Sequence, residues 1–390
     1  MMGRGTPLKI AQLGPAHPYR GGIVHFNSRL AKALHGRNDL DVTQFFWAKP
    51  YPESLLPGPP SNWLDMESKE TFHVPGQSFL SYSTPLTWWR FVRQICKGGH
   101  DLLITHWVHP IQFPVFFTLF CALRIFSGTR IILIVHNVLP HESTPGSKHM
   151  LRLIAKLVHR IIVHSSEERN NALCCKIPAE KIRLAFHPVF DFFPLCENAQ
   201  NSVRNDLGLK DKVFLFFGFL RPYKGVRTLL SAFEKLNSRM DNVSLLIVGE
   251  NFGAHNVTKI EFDITKGQLN KIKNVVHINK YVPNDSVGQY FMAADALVVP
   301  YNKASQSGPI QIAYSFGKPV IASDIPSFRD CIKSGTSGYF FTAGDSDDLA
   351  RVMEFFLGNP LDADDIRTFS RQFSWEKYTE ILLGEAGPRP

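Results

Sequence analysis

The chain has 390 residues, 44% hydrophobic and 20% charged, which excludes wholesale disorder and suffices for two domains of ordinary size. Lysine and arginine number 43 against 34 acids, for a formal net charge of +9. That excess suits phosphates, nucleic acid or an acidic membrane surface, and by itself selects none of them.

The opening apolar run, Leu8 to Leu13, is too short for the hydrophobic region of a secretory signal. Ile111 to Phe126 is the longest apolar segment. It contains Pro114 and Arg124 and falls short of the roughly 20 residues a spanning helix needs, so it reads as a buried or interfacial helix. Cys96, Cys121, Cys174, Cys175, Cys196 and Cys331 show no Cys-x-x-Cys spacing. The pattern favours reduced thiols in a cytoplasmic protein over a disulfide framework or a zinc site.

Short apolar runs alternate with helical patterns along the whole chain. Lys9–Leu13, Val42–Trp47, Leu102–Thr105, Ile131–Val135, Ile161–Val163 and Ile182–Phe186 are mostly continuous runs, as expected of strands buried on both faces of a parallel sheet. Helical candidates lie between them at Ile23–Leu34, Leu86–Cys96 and Lys148–Leu157. Residues 194–211 are polar and carry no strand, so they read as a linker. The alternation restarts with Val213–Phe217, Leu245–Val248, Val275–Ile278, Ala296–Val299, Val320–Ala322 and Tyr339–Phe341. The predicted fold class is α/β, with two doubly wound Rossmann-like domains facing across a cleft. The first covers residues 1–193 and the second 212–370, with a C-terminal helix in 371–390 returning to the first domain.

Three helix starts carry anion-binding chemistry. Arg20-Gly21-Gly22 follows the first strand, where glycines let backbone N–H groups approach an anion at the positive end of a helix; a plain strand-to-helix turn explains the same letters. This turn is not Gly-x-Gly-x-x-Gly, which counts against a nicotinamide cofactor. Gly218-Phe-Leu-Arg221-Pro-Tyr-Lys224-Gly225 opens the second domain. Two cations at a helix start sit on the unfavourable end of the dipole unless an anion joins them. Gln306-Ser307-Gly308-Pro309 leads into a third short helix that Gly317 closes.

With Val248-Gly249-Glu250, the strand ending in His136, and Gly317-Lys318-Pro319-Val320-Ile321-Ala322, these turns stand in an order and spacing that resembles the retaining glycosyltransferase family 4, of GT-B fold, over nearly the whole chain. The resemblance implies a metal-independent hexosyltransferase that uses a nucleotide-diphosphate sugar, retains anomeric configuration, and serves polysaccharide or lipid-linked glycan assembly. Arg221 and Lys224 then hold the donor diphosphate; Gly218, Gly249 and Glu250 border the nucleotide; Tyr281, beside Val282, stacks on the base. His136 is the active-site histidine near the transferred sugar, although the residue by itself reads more readily as a hydrogen-bonded core histidine. Arg20, Gly21 and Gly22 form the acceptor-side phosphate loop. No cofactor and no metal are expected, and no nucleic-acid partner.

Two departures from the family pattern stand out. The arginine usually found directly after the glycine is Phe219 here, with Arg221 as its substitute, and the family's glutamate pair is replaced by Ala304 and Ile312. Ser307 and Gly308 can still offer backbone N–H groups to phosphate, while Gln306 or Gln311 takes over hydroxyl recognition. Two other readings stay open: another nucleotide-sugar enzyme of epimerase type, or a non-catalytic binding protein on the same scaffold.

Several further motifs are set aside. Asp345-Ser-Asp347 and Asp362-Ala-Asp364 precede helices and read as caps rather than metal ligands. Tyr314-x-x-x-Lys318 is interrupted by Gly317, and His141-Glu142 lacks a second histidine. His106 and His109 flank Trp107 at a strand end and either line the acceptor side or merely pack. Finally, basic residues (Arg90, Arg93, Lys97, Arg124) interleave with Trp88, Trp89, Phe113, Phe116 and Phe117. This pattern suits peripheral attachment to the inner face of an anionic membrane, or else a core helix with a solvated face.

Overall fold

A computed structural model of the chain describes residues 6–51, 63–68, 74–139, 146–195, 199–250 and 271–384; His141, Glu142 and Cys196 lie outside them. The chain forms two compact units. The first runs to Met66, continues to Phe186 and resumes at Trp375; the second holds residues 187–374 and a short piece at Glu67 to Lys69.

The first unit is built on a seven-stranded sheet of order β3-β2-β1-β4-β5-β6-β7. Its strands are β1 (Leu8–Gly14), β2 (Leu40–Lys49), β3 (Gln77–Ser81), β4 (Leu102–Trp107), β5 (Arg130–Val135), β6 (Arg160–Val163) and β7 (Ile182–Leu184). Every pairing is parallel. The central strands carry apolar residues on both faces because helices cover both faces. The helix Phe113–Phe126 shows how this burial works. Phe116, Leu119, Phe120 and Leu123 are fully buried, each contributing roughly 1.5–3 kcal/mol, while Ile125 and Phe126 stay exposed at its end.

In the second unit a six-stranded parallel sheet has the order β10-β9-β8-β11-β12-β13. Here the strands are β8 (Lys212–Phe217), β9 (Val243–Val248), β10 (Val275–Ile278), β11 (Ala296–Val299), β12 (Val320–Ser323) and β13 (Gly338–Phe341). Both sheets reverse their winding beside their first strand, at β1/β4 and at β8/β11. Ligands of open parallel sheets bind outside the strand carboxyl ends at such switch points. The glycine turns after β1 and after β8 both stand there.

Three local features differ from the sequence reading or fill it in. β3 is an edge strand of modest burial that the hydrophobic pattern does not reveal. Residues 199–206, inside the predicted linker, form the helix Ala199–Asp206. Arg204 anchors it by donating to the Ala293 carbonyl at 2.8 Å and pairing with Asp295 at 2.8 Å. The Asp-x-Asp pairs are caps. Asp345 accepts from the N–H groups of Asp347 and Asp348, and Asp362 from those of Asp364 and Asp365.

Candidate active site

The first unit gathers its functional side chains at the carboxyl ends of β4, β5 and β6. His106 lies in β4, His136 directly after β5, and His164 directly after β6. All three rings are buried and surround Phe26 on the helix Gly22–His35, with centroids 5.8, 5.2 and 5.3 Å from it. Trp375 and Tyr378 of the C-terminal helix close the far side at 5.1 and 5.5 Å from the same ring. The Tyr378 hydroxyl lies 3.0 Å from His164 Nε2. The loop after His136 is tied down by Glu168, whose carboxylate accepts the Val138 N–H at 2.5 Å. Burial pushes Glu168 above the usual carboxylate range.

His136 does not stand alone. Its Nε2 lies 3.1 Å from His106 Nδ1, and His106 Nε2 lies 2.9 Å from Asn27 Oδ1. Gln12 Nε2 donates to the same Asn27 oxygen at 2.7 Å, and Gln44 Nε2 donates to Gln12 Oε1 at 3.1 Å. The parallel register places Gln12 beside Gln44. The chain needs Gly14, because a Cβ there would lie 2.1 Å from Asn27 Oδ1. It also joins the histidines to the Arg20-Gly21-Gly22 turn, since Asn27 stands on the helix that this turn opens. Gly21 adopts φ 120, which favours glycine. His109, by contrast, accepts the Ile111 N–H at 3.1 Å and serves as a helix cap.

In the second unit Lys224, Gly249 and the start of the helix Gly308–Ser315 meet at Gly218. Gly218 adopts φ 111, and a Cβ on Gly249 would lie 2.1 Å from the Gly218 carbonyl oxygen. A side chain at Gly249 would displace the backbone, and one at Gly218 would be strained by its positive φ. A Cβ on Gly218 would lie 3.0 Å from Lys224 Nζ and 3.9 Å from Pro309 Cγ, so the Lys224 ammonium and the start of the helix Gly308–Ser315 meet beside that glycine. Arg221 begins the turn Pro222–Lys224, and Gly225 follows it at φ 64 with the Pro300 carbonyl where a Cβ would stand. Glu250 joins through its backbone, its carbonyl accepting the Leu220 N–H at 3.0 Å. Tyr281 lies in the connection between β10 and the helix Asn284–Ala293.

Lys224 is the unusual group. It is buried and has no ion-pair partner among the described residues. Its Nζ lies 5.3 Å from the Tyr301 ring centroid and 6.0 Å from that of Phe216. Burial, aided by the Arg221 charge, pushes its pKa down to about 7. Gln311 is a second unsatisfied group: it is 2% exposed, and its side-chain oxygen has no hydrogen-bond partner among the described residues. A buried acceptor left unpaired costs about 1–3 kcal/mol, which a ligand hydroxyl can recover. Ala304 and Ile312 are both buried, so apolar packing occupies the two positions where the family pattern has glutamates.

Residues 198–373 match the family described as glycosyl transferases group 1. The second unit is a group 1 glycosyltransferase domain. The GDP-mannose:glycolipid 4-beta-D-mannosyltransferase of Xanthomonas campestris pv. campestris is 26% identical over 242 residues, 59% of this chain and 63% of that one. This chain therefore spans somewhat less than two thirds of that relative. The phosphatidyl-myo-inositol mannosyltransferase of Mycobacterium leprae is 28% identical over 38% of each chain. Among solved structures, Anabaena HepE in complex with UDP superposes with a TM-score of 0.73 at 17% identity, covering 97% of this chain and all of that one. The sucrose-phosphate synthase of Thermosynechococcus elongatus gives 0.68 at 18% identity over 97% of each chain. The fold is GT-B, built of two Rossmann-like units, and the glycosyltransferase domain carries Gly218, Arg221, Lys224 and Gly249.

A lysine whose pKa falls from 10.5 to about 7 on folding binds fewer protons in the folded than in the unfolded chain between those values. Its burial therefore opposes folding fully below about pH 7, and stability recovers as pH rises through that window. We predict that Lys224→Met raises the thermal midpoint of the ligand-free chain at pH 6 and that the gain shrinks towards about pH 10. A variant less stable than the parent at pH 6 would show that the lysine is not held against a desolvation penalty.

Proposed function

We propose that the chain is a glycosyltransferase that moves a hexose from a nucleotide-diphosphate sugar to a glycan or lipid-linked acceptor. One observation carries the reading: a buried lysine with no ion-pair partner among the described residues, beside two glycines and a helix start, within a group 1 glycosyltransferase domain. Such a site suits an anion. A diphosphate would restore the charge of Lys224, take up Arg221, and meet the N–H groups that open the helix at Gly308. As the glycosidic bond of the donor breaks, negative charge grows on that diphosphate, and fixed cations stabilise it without needing a metal ion. We assign the chain to family 4, with retention of anomeric configuration, on the ordered motifs. The relatives named as mannosyltransferases and the neighbour holding UDP support the substrate class without choosing the base.

The buried Ala304 and Ile312 favour a second reading, a protein that binds nucleotide sugar without transferring it. Screening UDP- and GDP-sugars for hydrolysis and for transfer to acceptor mixtures separates the two. Binding with no turnover would support the second.

The acceptor class gives the site a location. We assign a cytoplasmic protein attached to the inner face of the membrane through its first unit. No described helix is long and apolar enough to cross a membrane. Three adjacent helices, Pro85–Gly98, Phe113–Phe126 and Ser147–Leu157, instead expose Leu86, Trp89, Ile125, Phe126 and Leu153 among cations such as Arg93 and Arg124. The aromatic set is narrower than the sequence suggests. Trp88 donates to the Ser81 carbonyl at 2.8 Å and packs on the core, and Phe116 is fully buried.

Three outcomes are expected. Lys224→Ala weakens nucleoside-diphosphate binding about ten- to hundredfold, the loss of one charge-assisted phosphate contact of about 1.5–3 kcal/mol, and Arg221→Ala acts in the same direction. Calorimetry showing unchanged affinity in the Lys224 variant removes the diphosphate assignment. Transfer activity survives exhaustive EDTA treatment; a loss restored by magnesium or manganese overturns the metal-free mechanism. The chain floats with anionic liposomes at low salt and is released as screening shortens the reach of exposed charge to about 8 Å at physiological ionic strength. Trp89→Ser combined with Phe126→Ser weakens flotation, and absence of binding at low salt refutes membrane attachment.

A further inference from the structure

The chain of buried side chains behind His136 has a direction that backbone carbonyls set. Asn27 Nδ2 donates to the Pro15 carbonyl at 2.9 Å, which fixes the orientation of its amide. Gln12 Nε2 donates to the Asn27 carbonyl at 2.9 Å, which fixes the second amide. Asn27 Oδ1 therefore faces Gln12 Nε2 and His106 Nε2. An amide oxygen cannot donate, so the hydrogen between it and His106 belongs to His106 Nε2. His106 is 2% exposed, and burial pushes its pKa down to about 3, so the ring is neutral near pH 7 and its Nδ1 is a bare acceptor. His136 Nε2, 3.1 Å from that nitrogen, must donate to it. Phe26 meets both rings edge-on, at 84° and 89°, and holds them in this arrangement.

We propose that His106 and Asn27 are positioning residues that keep a proton on His136 Nε2, so that Nδ1 is the ring nitrogen through which His136 gains or loses a proton. Gln12 and Gln44 extend the same network into β1 and β2 and hold Asn27 in register. In its neutral form His136 is then an acceptor at Nδ1. A histidine that must present one chosen nitrogen to a reacting group needs such a partner on the other. The use of this arrangement in turnover rests on the transferase reading; the position of the proton does not.

The test separates these two. Two-bond proton–nitrogen spectra of the ¹⁵N-labelled full-length chain, with the His136 signals assigned from His136→Gln, should show His136 protonated on Nε2. His106→Leu removes the acceptor and should convert His136 to a mixture of tautomers. His106→Gln offers a side-chain carbonyl to the same hydrogen and should restore the original pattern. In sugar transfer, His106→Leu should lower kcat on the order of tenfold or more with little change in donor KM, and His106→Gln should recover most of it. A His136 proton on Nδ1 in the unsubstituted chain overturns the proposal, as does an unaltered His136 tautomer or an unaltered kcat in His106→Leu. If His106→Leu does not fold, the unsubstituted and His106→Gln spectra decide. An Nε2 proton in a chain that transfers no sugar supports the positioning and sinks only the transferase reading.

Discussion

A polar side chain buried under the carboxyl edge of a parallel sheet must find a hydrogen-bond partner there, and the first unit is arranged around that requirement. Two glutamines, an asparagine and a histidine are carried inside by β1, β2, the first helix and β4. Left unpaired, each would cost about 1–3 kcal/mol. They bond one another in series, from Gln44 Nε2 through Gln12, Asn27 and His106, and the series ends on His136. The absence of a side chain at Gly14, the register of β1 on β2, and the closing of the C-terminal helix over Phe26 all serve the same arrangement.

The second unit buries a cation with no ion-pair partner among the described residues, brings the end of β9 so close to Gly218 that only glycine fits at Gly249, and leaves the Gln311 oxygen without a hydrogen-bond partner among them. Burial of the Lys224 charge opposes folding, and the site proposed here would offset it with the charge of a diphosphate. Buried Ala304 and Ile312 stand at the two positions where the family pattern has carboxylates.

The strands were legible because burial on both faces leaves a continuous apolar run that no other short element produces. β3 escaped, being an edge strand with two exposed residues in five. The helix Ala199–Asp206 escaped because its stability comes from Arg204 reaching Asp295, a partner far along the chain. The glycine turns and both cations were readable as motifs, since a turn of left-handed backbone writes itself as glycine at fixed spacing.

His106 and Asn27 show where that legibility ends. As letters, His106 was one of two histidines around a tryptophan, and Asn27 was a residue on an amphipathic helix. Their role depends on hydrogen bonds between residues 79 and 30 positions apart, brought together by strand order and register. By itself the sequence determined the alternation of strands and helices, the glycine turns and the chemistry available at each, because these depend on neighbours along the chain. Which histidine proton points where, which aromatic residues remain on the surface, and whether Lys224 meets a carboxylate or aromatic rings were decided only by the tertiary structure, because burial and hydrogen bonding are set by residues distant in sequence.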